Sequence, residues 1–243
     1  SEVTTTLSLI DPLNPAAARV VAELPGGGWT GADVSPDEKQ LALTRYVSAT
    51  ESEVWLLDMA SGQRRRVLPA PGETLVASHL VAEWSRDGRS LFLTSDRAGE
   101  FHEVMRLDLA GGTLTRLTAD TPWDADYGSA SRDGRTLALV VNVDGRSELR
   151  LADAATGAAR ALPALPAGSV SRARFHPSRD ELAFVVSGTQ GPAQIHTLDL
   201  SAGTPAAQAW TTPVGVEGLD SRACRASRSC AGRASTAARS PAS

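Results

Sequence analysis

Two cysteines and four histidines in 243 residues leave little material for disulfides, metal centres or histidine-driven catalysis. Cys224 and Cys230 are separated by five residues, which is neither a zinc nor a redox spacing. His79, His102, His176 and His196 are scattered, and none has a partner four residues away as a helical metal pair requires. The nucleophile elbow Gly-x-Ser-x-Gly is missing, since Gly128-Ser-Ala-Ser and Gly168-Ser-Val-Ser both lack the second glycine. No run reaches the length of a membrane span, and Ser1-Glu2-Val3-Thr4-Thr5 has neither the basic nor the apolar part of a signal peptide. A formal charge of -4 excludes the basic stripe that nucleic acid selects. These absences predict a cytoplasmic chain with no catalytic residue, metal or cofactor of its own, and no nucleic-acid or membrane partner.

What is present is a repeat. Trp84-Ser-Arg-Asp-Gly-Arg-Ser-Leu-Phe-Leu93 has counterparts in Asp33-Val-Ser-Pro-Asp-Glu-Lys-Gln-Leu-Ala-Leu43, Ala130-Ser-Arg-Asp-Gly-Arg-Thr-Leu-Ala-Leu139 and Arg174-Phe-His-Pro-Ser-Arg-Asp-Glu-Leu-Ala-Phe184. Their marker leucines, Leu41, Leu91, Leu137 and Leu182, are 50, 46 and 45 residues apart. An apolar strand closed by aspartate runs in step, ending at Asp11, Asp58, Asp108, Asp153 and Asp199. That period, with short strands bounded by Gly, Asp and Ser, is one blade of a β-propeller. The prediction is an all-β chain of four-stranded antiparallel blades, with full units at about 29–69, 79–119, 126–163 and 169–212. Residues 4–24 supply the outer two strands of an earlier unit, and the first strand of each full unit is expected innermost.

The marker residues have local work to do. Asp87-Gly88 and Asp133-Gly134 suit a hairpin turn needing positive φ, while Pro36 and Pro177 preset the first turn position in the other two copies. The closing aspartates can accept backbone N–H groups of the next turn. Trp29, Trp55, Trp84 and Trp210 are expected in the packing of the blades, and Arg64-Arg65-Arg66 on a solvated outer strand.

From Ser221 to Ser243 the composition changes to Ser, Arg, Ala and Gly, with five arginines and no carboxylate, so the preceding region alone carries about -9. Such a composition is what GC-rich DNA yields in a wrong reading frame, and a permitted back-translation conceals a Phe-Asp-Gly-Arg-Glu-Ile phrase. Residues 1–220 are therefore read as the propeller and 221–243 as a frame-shift tail.

Through Trp84-Ser-Arg-Asp-Gly with Thr94-Ser-Asp-Arg97, Leu117-Thr118 with Thr121-Pro-Trp-Asp124, Leu165-Pro-Ala-Gly168 with Phe175, and Gly218-Leu-Asp220, the chain resembles the propeller of the prolyl-oligopeptidase family of serine peptidases. The likeness is to its acylaminoacyl-peptidase and dipeptidyl-aminopeptidase-like branch, and covers about residues 1–220. The blade phrases are also similar to those of TolB-like propellers. The resemblance implies a seven-bladed ring covering the active site of an α/β-hydrolase domain and screening peptides by size. Against that pattern the chain reads as truncated, lacking front blades and the hydrolase domain. Peptide substrates would be met only through that domain, and open blade edges would favour self-association. The other reading is a stand-alone TolB-like interaction module.

Loops between second and third strands share a face with the links between blades. Asp96, Arg97 and Glu100 are thus expected on one face with Trp123, Asp124 and Asp126, as candidates for ligand or domain contact.

Overall fold

The computed structural model describes residues 3–188, 191–202 and 205–212. Among these every regular element is a strand, arranged as one two-stranded and four four-stranded antiparallel sheets. The hairpin β1 (Thr4–Asp11) and β2 (Asn14–Pro25) comes first. Blade I is β3 (Trp29–Val34), β4 (Gln40–Ser48), β5 (Glu51–Asp58) and β6 (Arg64–Leu68). Blade II is β7 (His79–Trp84), β8 (Ser90–Ser95), β9 (Glu103–Asp108) and β10 (Leu114–Arg116). Blade III is β11 (Ala125–Ala130), β12 (Thr136–Val143), β13 (Arg146–Asp153) and β14 (Ala159–Arg160). Blade IV is β15 (Ser169–Phe175), β16 (Glu181–Gly188), β17 (Gly191–Asp199) and β18 (Ala207–Ala209). Each is a meander in chain order, as the repeat predicts. Residues 221–243, expected above to be a frame-shift tail, and Gly218-Leu-Asp220 lie outside the described residues.

Strand composition follows position in the blade. All six residues of β8 are buried, because the second strand is covered on both faces by neighbouring blades. Outer strands are short, and the arginines of β6 are exposed, which keeps the outer edge soluble. Four apolar clusters fill successive gaps: Leu24, Trp29 and Leu57 between the first hairpin and blade I, then Trp84 with Leu56, Phe92 with Leu139, and Leu151 with Phe184. Among the described residues no further apolar cluster joins blade IV to β1 and β2. Trp210 departs from expectation at 69% exposed. It follows the outermost strand β18, where its backbone N–H reaches Ile195 but nothing described packs over the ring.

The turns repeat one hydrogen-bond pattern. Ser85 Oγ accepts from Ser90 N–H at 2.9 Å and donates to Asp87 at 2.6 Å, while Asp87 accepts from Arg89 N–H at 3.1 Å. Ser131 with Asp133 and Ser35 with Asp37 do the same. Only the glycine of each Asp-Gly pair takes positive φ, 68° at Gly88 and 70° at Gly134. Proline does not replace it, because in blade I Glu38 adopts φ 57° after Pro36. His176 stands in for serine and accepts from Ser178 N–H at 3.1 Å.

A second pattern joins the blades. Every first strand carries a β-bulge or register shift at the same phase, and in blades I to III the residue after it reaches the next blade. Asp33 accepts from Trp84 N–H at 2.8 Å, Glu83 from Ala130 N–H at 3.2 Å, and Ser129 from Phe175 N–H at 2.6 Å. These bonds hold successive first strands together, while the fourth strands lie on the far side of each sheet, as expected of innermost first strands. In blade IV the equivalent residue is Arg174, which donates backwards to the Gly128 carbonyl at 2.5 Å.

Outer turns contact the neighbouring blade too. Gly157, at φ +77°, would place a Cβ 2.2 Å from the Leu117 carbonyl oxygen, whereas Gly112 at φ +70° has open space in the same turn of blade II. Gly112→Ala should cost about 1 kcal/mol for the left-handed backbone alone. Gly157→Ala must also displace backbone of blade II, and should cost about 2–3 kcal/mol in urea unfolding. Equal losses in the two variants would show that this approach between blades is not tight.

Candidate functional site

The loop face is built from three segments. The β8–β9 loop carries Asp96, Arg97 and Glu100; residues 69–78 cross from blade I to blade II; residues 117–124 cross from blade II to blade III. Asp96 accepts the Ser78 N–H at 2.7 Å, and Arg97 pairs with Glu73 at 2.6 Å, so both residues clamp the first crossing segment. Glu73 also accepts from Ala70 N–H at 2.9 Å. Burial works to raise its carboxyl, but the Ala70 N–H and Arg97 outweigh this and hold it below the ordinary glutamate value.

Beneath the clamp lies His79, 2% exposed. Its Nδ1 meets Ser95 Oγ at 2.9 Å, and that hydroxyl oxygen accepts the Arg97 N–H at 3.1 Å. Burial first, then the Arg97 charge, press its pKa from 6.5 to about 4, so the ring is neutral at pH 7. Its backbone is fixed by Ser52, whose Oγ accepts the His79 N–H and donates to the His79 carbonyl, both at 2.6 Å.

The second crossing meets the same loop. Asp124 accepts the His102 N–H at 2.8 Å, Ala125 N–H reaches the His102 carbonyl at 2.9 Å, and Phe101 and Trp123 lie with ring centroids 6.4 Å apart. Asp96 and Arg97 thus bind the first crossing segment, while Asp124 of the second crossing binds His102 at the far end of the same β8–β9 loop. Glu100 and Asp126 are exposed, and Asp126 occupies the same phase of its first strand as the exposed Leu80. Among the described residues no three His, Cys, Asp or Glu side chains are grouped to hold a metal ion. Among the described residues no helix is long and apolar enough to cross a membrane.

Sequence reasoning missed the apolar part of this face. Tyr46 and Val47 in the β4–β5 hairpin, Leu75 and Val76 on the first crossing, and Leu80 at the start of β7 are 60%, 47%, 47%, 59% and 58% exposed. The available signal was Leu75-Val76 itself, an apolar pair placed in a Pro- and Gly-containing link between sheets. Exposed apolar residues flanked by charge mark interaction surfaces.

The profile of the prolyl oligopeptidase N-terminal β-propeller domain matches residues 18–209. No curated protein matches the chain. Among solved structures, TolB from Acinetobacter baumannii is similar at 19% identity and a TM-score of 0.63, over 88% of this chain and 50% of that one. Prolyl oligopeptidase B from Galerina marginata is similar at 17% identity and a TM-score of 0.66, over 86% of this chain and 30% of the peptidase. A puromycin hydrolase is similar at 20% identity and a TM-score of 0.62, over 82% of this chain and 32% of the other. The chain thus spans half of that TolB and about a third of those two enzymes.

Proposed function

Because the chain belongs to the prolyl oligopeptidase N-terminal β-propeller family, we propose that it is the non-catalytic propeller part of a serine peptidase of that family, with its loop face turned to an α/β-hydrolase domain. The observation that carries this reading is the apolar surface of Tyr46, Val47, Leu75, Val76 and Leu80 beside the clamped loop of Asp96 and Arg97. Such a surface gains from being covered, and its charged rim would set the register of the partner. The role proposed for Asp96, Arg97, Glu100, Trp123, Asp124 and Asp126 is this domain contact, with peptide screening as its consequence. The acylaminoacyl-peptidase-like branch is the finer proposal, resting on the blade phrases alone. The tail from Ser221 is proposed to be a frame-shift product.

The expected result is that purified chain hydrolyses neither acylaminoacyl nor dipeptidyl chromogenic substrates, because the sequence contains no nucleophile elbow. It should bind an isolated hydrolase domain from a family member in calorimetry, and the paired change Leu75→Asp, Val76→Asp should weaken that binding about tenfold or more. Turnover by the chain itself, or binding indifferent to that change, would overturn the reading. Downstream DNA carrying Gly-x-Ser-x-Gly in another frame would support the peptidase origin; a stop within a few codons would favour the stand-alone interaction module.

A further inference from the structure

We propose that the cleft between blades II and III is a carboxylate-binding site centred on Arg106. The position two residues before the closing aspartate is Leu56 in blade I, Arg106 in blade II, Leu151 in blade III and Thr197 in blade IV. Leu56 and Leu151 are 2% and 4% exposed, each in the apolar cluster shared with the following blade. Arg106 stands directly across from Phe92 on β8, and Phe92 belongs to the cluster shared with blade III. Two of the other three blades therefore bury a leucine, and the third an uncharged threonine, where this blade places a guanidinium. Its Nε is shielded from solvent without a hydrogen-bond partner, and among the described residues it forms no ion pair. Leaving a shielded guanidinium N–H unpaired costs stability that a leucine would not.

The other charged groups of the cleft are already engaged. Arg86 pairs with Glu83 at 2.8 Å and donates to the Ala130 carbonyl at 3.0 Å. Asp87 and Asp133 each accept a serine hydroxyl and an N–H of their own turns, and Asp153 takes Arg160 at 2.8 Å. Arg106 and the exposed Arg135 are the cations left to meet a ligand. A guanidinium fork matches a planar carboxylate with two parallel hydrogen bonds. The three aspartates lining the cleft repel a phosphate dianion more strongly than a monoanionic carboxylate. At about 380 Å³ the cleft admits a short carboxylic acid or the end of a peptide. It opens beside the turns between first and second strands, away from the loop face, and so is independent of the proposed domain contact.

The test is a thermal-shift and calorimetric titration of the full chain with butyrate, with a tripeptide bearing a free C-terminal carboxylate, with the same tripeptide amidated, and with inorganic phosphate. A carboxylate at ten times its Kd should raise Tm by about 3–6 °C, and the amide should not. Tighter binding of the free tripeptide assigns a peptide terminus, and tighter binding of butyrate assigns a free acid. Arg106→Leu, which restores the residue of blades I and III, should hold or raise Tm in buffer and weaken carboxylate binding at least about tenfold. Arg106→Gln serves the same comparison if the leucine variant fails to fold. The proposal is overturned if neither acid shifts the wild type, if phosphate binds more tightly than both acids, or if the soluble variant responds like the wild type.

Discussion

Trp84→Ala is expected to lose about 3–5 kcal/mol of unfolding free energy, a drop of about 10 °C or more in Tm. The indole is 3% exposed in the cluster that joins blades I and II, so truncation leaves a cavity between two sheets. It also removes the Nε1 donor that meets the Asp33 carbonyl at 3.1 Å, leaving that acceptor in a partly buried setting. Trp84→Phe separates the two effects, because it fills most of the volume and forfeits only the hydrogen bond, about 1–2 kcal/mol. Neighbouring blades in a repeat protein share stability through their interfaces, so the loss should reach both sheets. Hydrogen exchange that rises in β3 and β4 as well as β7 and β8 is the expected pattern. A loss confined to blade II, or below about 1 kcal/mol for the alanine variant, would place the stability of this interface elsewhere.

The fold was legible because blade-forming chemistry is local and recurs. The stretch 85–94 in one copy announces its equivalents through a leucine that follows a serine and an aspartate whose bonds close within six residues, as Ser85, Asp87 and Ser90 show. The bonds between blades were not legible from any one copy. Asp33, Glu83 and Ser129 share a phase but not a residue type, since an N–H donor from the next blade accepts any nearby oxygen. Trp210 was misread because aromatic residues are usually covered, and coverage there depends on what packs beyond β18 rather than on the strand itself.

The loop face was half legible. Topology alone pointed to the loops bearing Asp96, Arg97, Trp123 and Asp124, because meander loops alternate between the two ends of a blade. Their partners could not be read that way. Glu73 is 24 residues from Arg97, and nothing in a link of Pro, Gly and small residues signals an ion-pair partner. His79 also looked idle as one scattered histidine; only the closed packing of Ser52, Ser95 and Arg97 around it reveals a buried neutral imidazole.

That imidazole gives the chain a pH dependence in a window of its own. An unfolded histidine titrates near 6.5, whereas folded His79 titrates at about 4. Between these values the unfolded state binds a proton that the native state refuses, so stability is full above about pH 6.5 and falls as pH is lowered towards 4. The carboxylates of Glu53, Glu73, Asp87 and Asp133 are all held below their ordinary values, so their contributions are lost only at lower pH. Lowering the pH from 7 to 5 should therefore remove about 2 kcal/mol through His79. Urea unfolding of the wild type and of His79→Asn measures it, and the variant should be nearly flat over that range. A wild type equally stable at both pH values, or a variant that keeps the slope, would assign the ring to the protonated state or the slope to another group. The loss should begin locally, because a charged ring faces Arg97 and competes with its bond to Glu73, the bond that ties down the segment bearing Leu75 and Val76. Faster amide exchange at residues 73–80 before any change in blade III would locate the acid sensitivity in the apolar loop face itself.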